Sequence, residues 1–387
     1  LFHARRLMES FAAEAACRLS LVATDARDLA QKAKHALAAI GAQPDESVSL
    51  PIGIYYNSGP ATGPVAFLFP GQGSQYVGMG GEAAWMFPEA GAVWDRVAGL
   101  ADAQELAKLP EVVYPQPVFS EADEARQCEA LRRTEQAQPA IGVVSLSLLE
   151  ALRDLGLDAE FFAGHSYGEL TALYAAGVFS ETDFLKVSRR RGELMRDAAQ
   201  SPGAMTAVFH DVDEVRRIIA ENGNGIIPAN LNTPQQVVLA GPTDRIASIE
   251  AELTRQGIEN RRLPVATAFH SEIVSSASAP FAEYLQGVAA KAPASRVYSN
   301  VDARPYSADT VIAERLGGQV SRPVRFAEQI ENMYADGARV FVEVGPSSVL
   351  SKLTAECLEG RAHAAIALDS KKQDGWSSFY HGVAQLS

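Results

Sequence analysis

The stretch CRLSLVA, residues 17–23, alternates apolar and polar positions, which predicts a half-buried strand. The segment after it, DARDLAQKAKHALAAI, carries apolar residues at helical spacing, with Asp25 placed to cap the helix N-terminus. A short apolar run, IGIYY, predicts another strand, and NSGPATGP reads as a linker because it is rich in turn formers. Residues 1–62 are therefore read as a small α/β unit of their own.

A larger pattern starts at residue 63. VAFLFPGQGSQ is an apolar strand running into a Gly-rich turn. In PAIGVVSLSLLEALRDLG, Ile141, Val144, Leu148 and Leu152 fall along one helical face. AEFFAGHS then predicts a strand and GELTALYAAGVF the helix behind it. Strands alternating with helices predict an α/β domain with a parallel sheet. From 200 to 267 the order becomes β-α-ββ-α-β, the ferredoxin-like pattern, which predicts a small inserted subdomain. The larger domain resumes with helices and the strands SRVYSNV and ARVFVEVGP. It is read as residues 63–199 and 268–365, with 366–387 as a trailing segment.

Composition narrows the function classes. A net charge of −13 with no long Lys/Arg run argues against general nucleic-acid binding. The three cysteines, Cys17, Cys128 and Cys357, are far apart, which fits a reducing, cytoplasmic setting and no zinc site. No apolar run reaches the roughly 18–20 residues of a membrane span, and no signal-peptide pattern is present. The chain starts at LFHARRLMES, without methionine, and is expected to be a piece of a longer polypeptide.

The candidate chemistry begins at AGHSYGEL. Gly164-His165-Ser166-Tyr167-Gly168 has the form G-x-S-x-G, which between a strand and a helix makes a nucleophile elbow. A serine nucleophile needs a base. Of the seven histidines, His165 adjoins the serine and points elsewhere in an elbow, whereas His270 ends the apolar run LPVATAF where the small subdomain hands the chain back. Such a junction faces a cleft between domains. No Asp or Glu is marked as a third triad member, and a backbone carbonyl is an alternative orienter for the histidine.

Arg191, in DFLKVSRRRGELMRDAA, lies in the middle of that helix's apolar stripe. Phe184, Val187, Leu194, Met195 and Ala198 all fall within about 60° of it at ~100° per residue. Either it pairs with a buried acid or it receives a carboxylate from a substrate, for which a planar guanidinium is suited. FPGQGSQ lacks the Lys-Ser/Thr ending of a phosphate loop. It is read instead as backbone lying close to the elbow, with Gln72 and the Tyr167 backbone N–H as oxyanion donors.

The segments FPGQGSQYVGMG, AQPA, GHSYGEL, RRRGELM, NTPQQVVLAGP, AFHS, YSNVDARPY and FVEVGPSSVLSKL occur in an order that resembles malonyl-CoA:acyl carrier protein acyltransferases. They run from residue 65 to about 353. The resemblance implies an α/β-hydrolase-like large domain with the ferredoxin-like insertion. It implies Ser166 as the acylated nucleophile, His270 as its base and Arg191 as the malonyl carboxylate receptor. It places Gln138 and Asn230 near the site, and has the histidine oriented by a backbone carbonyl from the GPSSVL loop. Phe269 matches the malonyl-selective form of the stretch before the histidine, whereas Thr267, and Tyr167 after the nucleophile, depart from the usual residues. The substrate would be malonyl-CoA and the acceptor the phosphopantetheine thiol of a carrier protein, with no bound cofactor or metal.

The unit before the domain resembles the linker that follows a ketosynthase in a multidomain polyketide synthase, so a ketosynthase is the expected neighbour. GIYY and Tyr167 look most like iterative synthases of the enediyne or polyunsaturated fatty acid type, enediyne being preferred. A serine thioesterase and a catalytically silent docking domain are the competing readings.

Overall fold

The computed structural model describes residues 15–59, 63–100, 104–199, 201–222, 225–265 and 267–386. The linker read at 57–64 lies partly outside them. The N-terminal unit is a three-stranded antiparallel sheet in the order β1-β3-β2, built from β1 (Cys17–Leu21), β2 (Val48–Leu50) and β3 (Ile54–Ser58). The Ala26–Ala42 helix packs on it, and the Asp25 carboxylate accepts from the Arg27 and Asp28 backbone N–H groups at 2.8 Å, as its capping position predicts.

The large domain is a parallel sheet of β4 (Val65–Phe69), β5 (Phe161–Gly164), β10 (Arg296–Tyr298), β11 (Val340–Glu343) and β12 (Ala364–Ala367). The order is β10-β5-β4-β11-β12. β4, β5 and β11 read as continuous apolar runs because helices cover both of their faces. Phe67, Phe69, Phe162, Phe341 and Val342 are fully buried there. From β4 the chain moves to β5 and β10 on one side, then returns to β11 on the other. This reversal puts a topological switch point at the C-terminal ends of β4 and β5, where ligands of open α/β sheets bind. The turns Pro70–Gln75 and His165–Tyr167 both lie at that edge.

Between β5 and β10 the chain inserts an antiparallel sheet of β6 (Gly203–Phe209), β7 (Ile227–Thr233), β8 (Gln236–Pro242) and β9 (Glu259–Arg262), in the order β7-β8-β6-β9. With the Val212–Asn222 and Thr243–Arg255 helices it has its own core of Val208, Val215, Leu239, Ile246 and Leu253. β7 is tied to the large domain by backbone bonds from Leu231 N–H to Val324 O, 2.8 Å, and from Val324 N–H to Ala229 O, 2.9 Å. The α/β class with a parallel sheet and a small antiparallel subdomain is the one the hydropathy pattern predicts.

Two expectations need correction. The boundary at 365 falls inside β12, which pairs with β11, and the Gly375–Leu386 helix packs back on it with Phe379 fully buried. The trailing segment is thus an outer layer of the large domain; the short run AAIA carries too little side chain to announce a strand. The Thr134–Asp154 helix buries nearly its whole circumference, including Gln138, Ser145 and Ser147, so no single apolar face describes it. Among the described residues, 81–132 also holds five short helices, for which no long periodic pattern is read.

Candidate active site

The elbow follows from sterics. A Cβ at Gly164 would sit 1.9 Å from the Gly168 carbonyl carbon, and one at Gly168 would sit 1.9 Å from Phe69 O. Only glycine lets strand, turn and helix pass this closely. Ser166 between them is held at φ 54°, a left-handed conformation that costs a non-glycine residue of order 1–3 kcal/mol. The structure supplies the brace: Ser166 N–H donates to Asn300 Oδ1 at 2.7 Å, and Asn300 Nδ2 donates to Gly164 O at 2.6 Å. Asn300 is fully buried just past the end of β10. The Gly-rich loop does approach the elbow, since a Cβ at Gly71 would lie 2.4 Å from His165 O.

His270 Nε2 lies 2.6 Å from Ser166 Oγ. Its Nδ1 lies 3.1 Å from Gln319 O and 3.0 Å from Arg322 O. Carbonyls only accept, so Nδ1 carries the proton and Nε2 presents its lone pair to the serine hydroxyl. The orienting carbonyls therefore come from the end of the Ile312–Gln319 helix and the turn after it, where carbonyls lack helical partners. GPSSVL has another task. Ser347 Oγ donates to Ser74 O at 2.8 Å, and Asp369 accepts from Ser347 N–H at 2.9 Å and from the Tyr76 hydroxyl at 2.6 Å. That set of bonds ties the Gly-rich loop to the C-terminal segment.

Arg191 is 2 % exposed, yet among the described residues it forms no ion pair. Its Nη1 donates to Gln138 Oε1 at 3.0 Å and its Nη2 to Gln319 Oε1 at 2.9 Å. Two amide oxygens aim the guanidinium without neutralising it. Burial pushes its pKa down to about 10.

A family model described as an acyl transferase domain matches residues 66–382. The chain belongs to the acyltransferase domain family. It is 37% identical over 296 residues to the malonyl CoA-acyl carrier protein transacylase of Bacillus subtilis, covering 75% of this chain and 89% of that protein. It is 35% identical over 304 residues to the polyketide synthase GfsA of Streptomyces halstedii, covering 78% of this chain and 4% of that one. Among solved structures, the acyltransferase domain from the second module of the salinomycin polyketide synthase superposes with a TM-score of 0.79 at 31% identity, covering 95% of this chain and 82% of that one.

The remaining expected site residues of this acyltransferase fall into two groups. Gln138 bridges Arg191 to Gln72, donating to Gln72 Oε1 at 3.5 Å, while Gln72 Nε2 reaches Thr134 Oγ1 at 3.3 Å. These long bonds keep the Gly-rich loop next to the arginine. Tyr167 turns its side chain into the core, fully buried, with its hydroxyl 2.8 Å from Ser188 Oγ on the arginine helix. Thr267 and Phe269 are both buried beside His270 in sequence, and the Thr267 hydroxyl has no hydrogen-bond partner among the described residues.

The other group lies toward the small subdomain. His165 Nε2 sits 2.9 Å from Asn232 Oδ1, and its ring packs against Phe326 at 5.7 Å between centroids, so it joins the two subdomains. Asn230, the asparagine expected at the site, is buried on β7 opposite Val238; the asparagine that meets the elbow histidine is Asn232. Asn300, Gln319 and Glu169 escaped the sequence reading. Asn300 had a signal, being a polar residue just past a strand at the switch-point edge, whereas Gln319 in LGGQVSRP had none.

Burial, with the Arg191 charge and His165 adding to it, pushes His270 down to about 3. Rate and stability should both show it. The pH profile of Ser166 acylation is expected to lack the inflection near 6.5 of an ordinary histidine base. Because the folded pKa lies below the unfolded one, the unfolded chain takes up a proton first as pH falls through about 6.5. His270 therefore leaves stability intact above that pH and removes it progressively toward pH 3; His165, also lowered by burial, acts in the same sense. Melting temperatures from pH 8 to 4 should fall less steeply in His270→Gln than in the unchanged protein.

Proposed function

We propose that this acyltransferase moves a malonyl group from malonyl-CoA to Ser166 and then to the phosphopantetheine thiol of an acyl carrier protein. The observation that carries the reading is the buried Arg191 guanidinium, which forms no ion pair among the described residues and is aimed by Gln138 and by Gln319, whose backbone carbonyl also orients His270. His270 Nε2 takes the Ser166 proton as Oγ attacks the thioester carbonyl. The negative oxygen that forms is met by the Gln72 and Tyr167 backbone N–H groups, for which no partner is found among the described residues. Collapse releases coenzyme A, its sulfur taking the proton from His270. The carrier thiol then attacks the acyl-serine by the same route in reverse. Arg191 binds the free malonyl carboxylate, which selects acids over acetyl groups and fixes the thioester for attack.

Phe269 and Thr267 are read as the residues that discriminate between malonyl and its 2-methyl analogue, a choice worth only about 1–3 kcal/mol per methyl. The N-terminal sheet is read as the linker to a preceding ketosynthase. Its IYY strand and Tyr167 favour an iterative synthase, enediyne before polyunsaturated fatty acid, and the neighbouring coding sequence decides between them.

Intact-protein mass spectrometry after mixing with malonyl-CoA tests the reaction. A malonyl adduct on Ser166 that transfers to a carrier thiol is the expected result. Rapid release of free malonate with no transfer would favour a hydrolase, and absence of both events would favour a docking domain.

A further inference from the structure

Glu169 follows the elbow, fully buried, and no Lys, Arg or His pairs with it among the described residues. Its Oε1 accepts from the Tyr306 hydroxyl at 2.6 Å. Its Oε2 accepts from the Asn300 backbone N–H at 3.1 Å and from Gln319 Nε2 at 3.0 Å. The orientation of the Gln319 amide is fixed independently: Arg191 has only donors, so the amide oxygen must face it and the NH2 must face Glu169. Oε2 therefore meets two obligate donors and the Tyr306 hydroxyl offers a third to Oε1, an arrangement that favours the ionised carboxylate. Burial raises the group's pKa, and these same bonds offset part of that rise.

An unbroken line runs from the Arg191 guanidinium through the Gln319 amide to the Glu169 carboxylate. Each end polarises the amide in the same sense, which strengthens both bonds. A carboxylate in direct contact would fill the guanidinium fork. One held an amide away supplies opposite charge and leaves N–H groups open.

We propose that Glu169 is a positioning residue for the substrate: it is the buried counter-charge of Arg191, relayed by Gln319, and it sets how tightly the guanidinium grips the acyl carboxylate. This rests on Arg191 being that receptor. Without the counter-charge, Arg191 is an uncompensated buried cation, and an anionic acyl group binds it more tightly than catalysis needs. A neutral acyl group is indifferent to the change.

The test compares malonyl-CoA with acetyl-CoA, transferring to a carrier-protein thiol, in the unchanged protein, Glu169→Gln, Tyr306→Phe and Arg191→Ala. In Glu169→Gln, KM for malonyl-CoA should fall about three- to tenfold and kcat should fall with it, while the acetyl constants stay within about twofold. Tyr306→Phe removes one donor and little volume, and should shift the same ratio in the same direction by less. It carries the test if Glu169→Gln does not fold. Equal losses for both acyl groups, in whichever variant folds, would overturn the proposal and leave Glu169 a packing residue. If Arg191→Ala keeps its malonyl preference, the receptor reading fails and this proposal with it. If Arg191→Ala loses that preference and the Glu169 and Tyr306 variants leave the ratio unmoved, the Glu169 assignment alone fails.

Discussion

Replacing His270 with alanine should slow acylation of Ser166 by about 10³-fold, within the 10²–10⁴ range for loss of a positioned base. The serine hydroxyl is barely ionised at neutral pH, and Nε2 at 2.6 Å is the acceptor placed to take its proton. In the alanine variant the proton must go to water. The elbow, its Asn300 brace and the backbone N–H groups remain, so substrate still binds and some acylation persists. The first turnover, followed by rapid quench and intact mass, reads this directly. Ser166→Ala alongside should give no adduct at all. A loss of less than about tenfold in His270→Ala would mean that another group serves as base.

Replacing Arg191 with alanine should lower kcat/KM for malonyl-CoA by about 10²–10³-fold, the equivalent of ~3–4 kcal/mol for a buried charge-assisted contact. The same change should move acetyl-CoA by about threefold or less, because an acetyl group offers the arginine nothing to bind. The loss is expected in kcat as well as KM, since the arginine also fixes where the thioester sits. Parallel losses for both acyl groups would remove Arg191 from substrate recognition. Gln138 and Gln319 would each lose a donor partner in this variant, so its melting temperature belongs in the comparison.

The legible part of the site was the part in which a residue type contradicts its local surroundings. Two glycines flanking a serine after an apolar strand have no use in an ordinary turn. An arginine in the middle of an apolar stripe demands a partner or a ligand. His270 stood out because it ends a run that leaves one subdomain for another. The residues that escaped are polar groups satisfied by partners far off in sequence. Asn300 meets Ser166 across 134 positions, and Gln319 meets Ser166 across 153. Nothing near either residue announces that it will be buried.

The orienting carbonyls show a second limit. A backbone oxygen has no side-chain signature, so the segment that supplies it has to be seen. The same holds for the outer edge of the large sheet. Strand β12 is four residues long, three of them alanine, and it becomes a strand through pairing with β11, not through its own hydropathy. The ferredoxin-like unit was plain by contrast, because each of its helices carries a regular apolar face over its own sheet.

The bond between Asp369 and Tyr76 bears on how this domain is handled as a portable part. Asp369 is 2 % exposed, lies beyond the last strand, and holds both the Gly-rich loop and the Ser347 turn that supports it. A transplant into a multidomain synthase that joins recipient sequence at residue 365 would keep Ser166, His270 and Arg191. It would also exchange the anchor of the loop that carries Gln72. The seam for such a graft belongs after the Gly375–Leu386 helix, so that loop and anchor travel together.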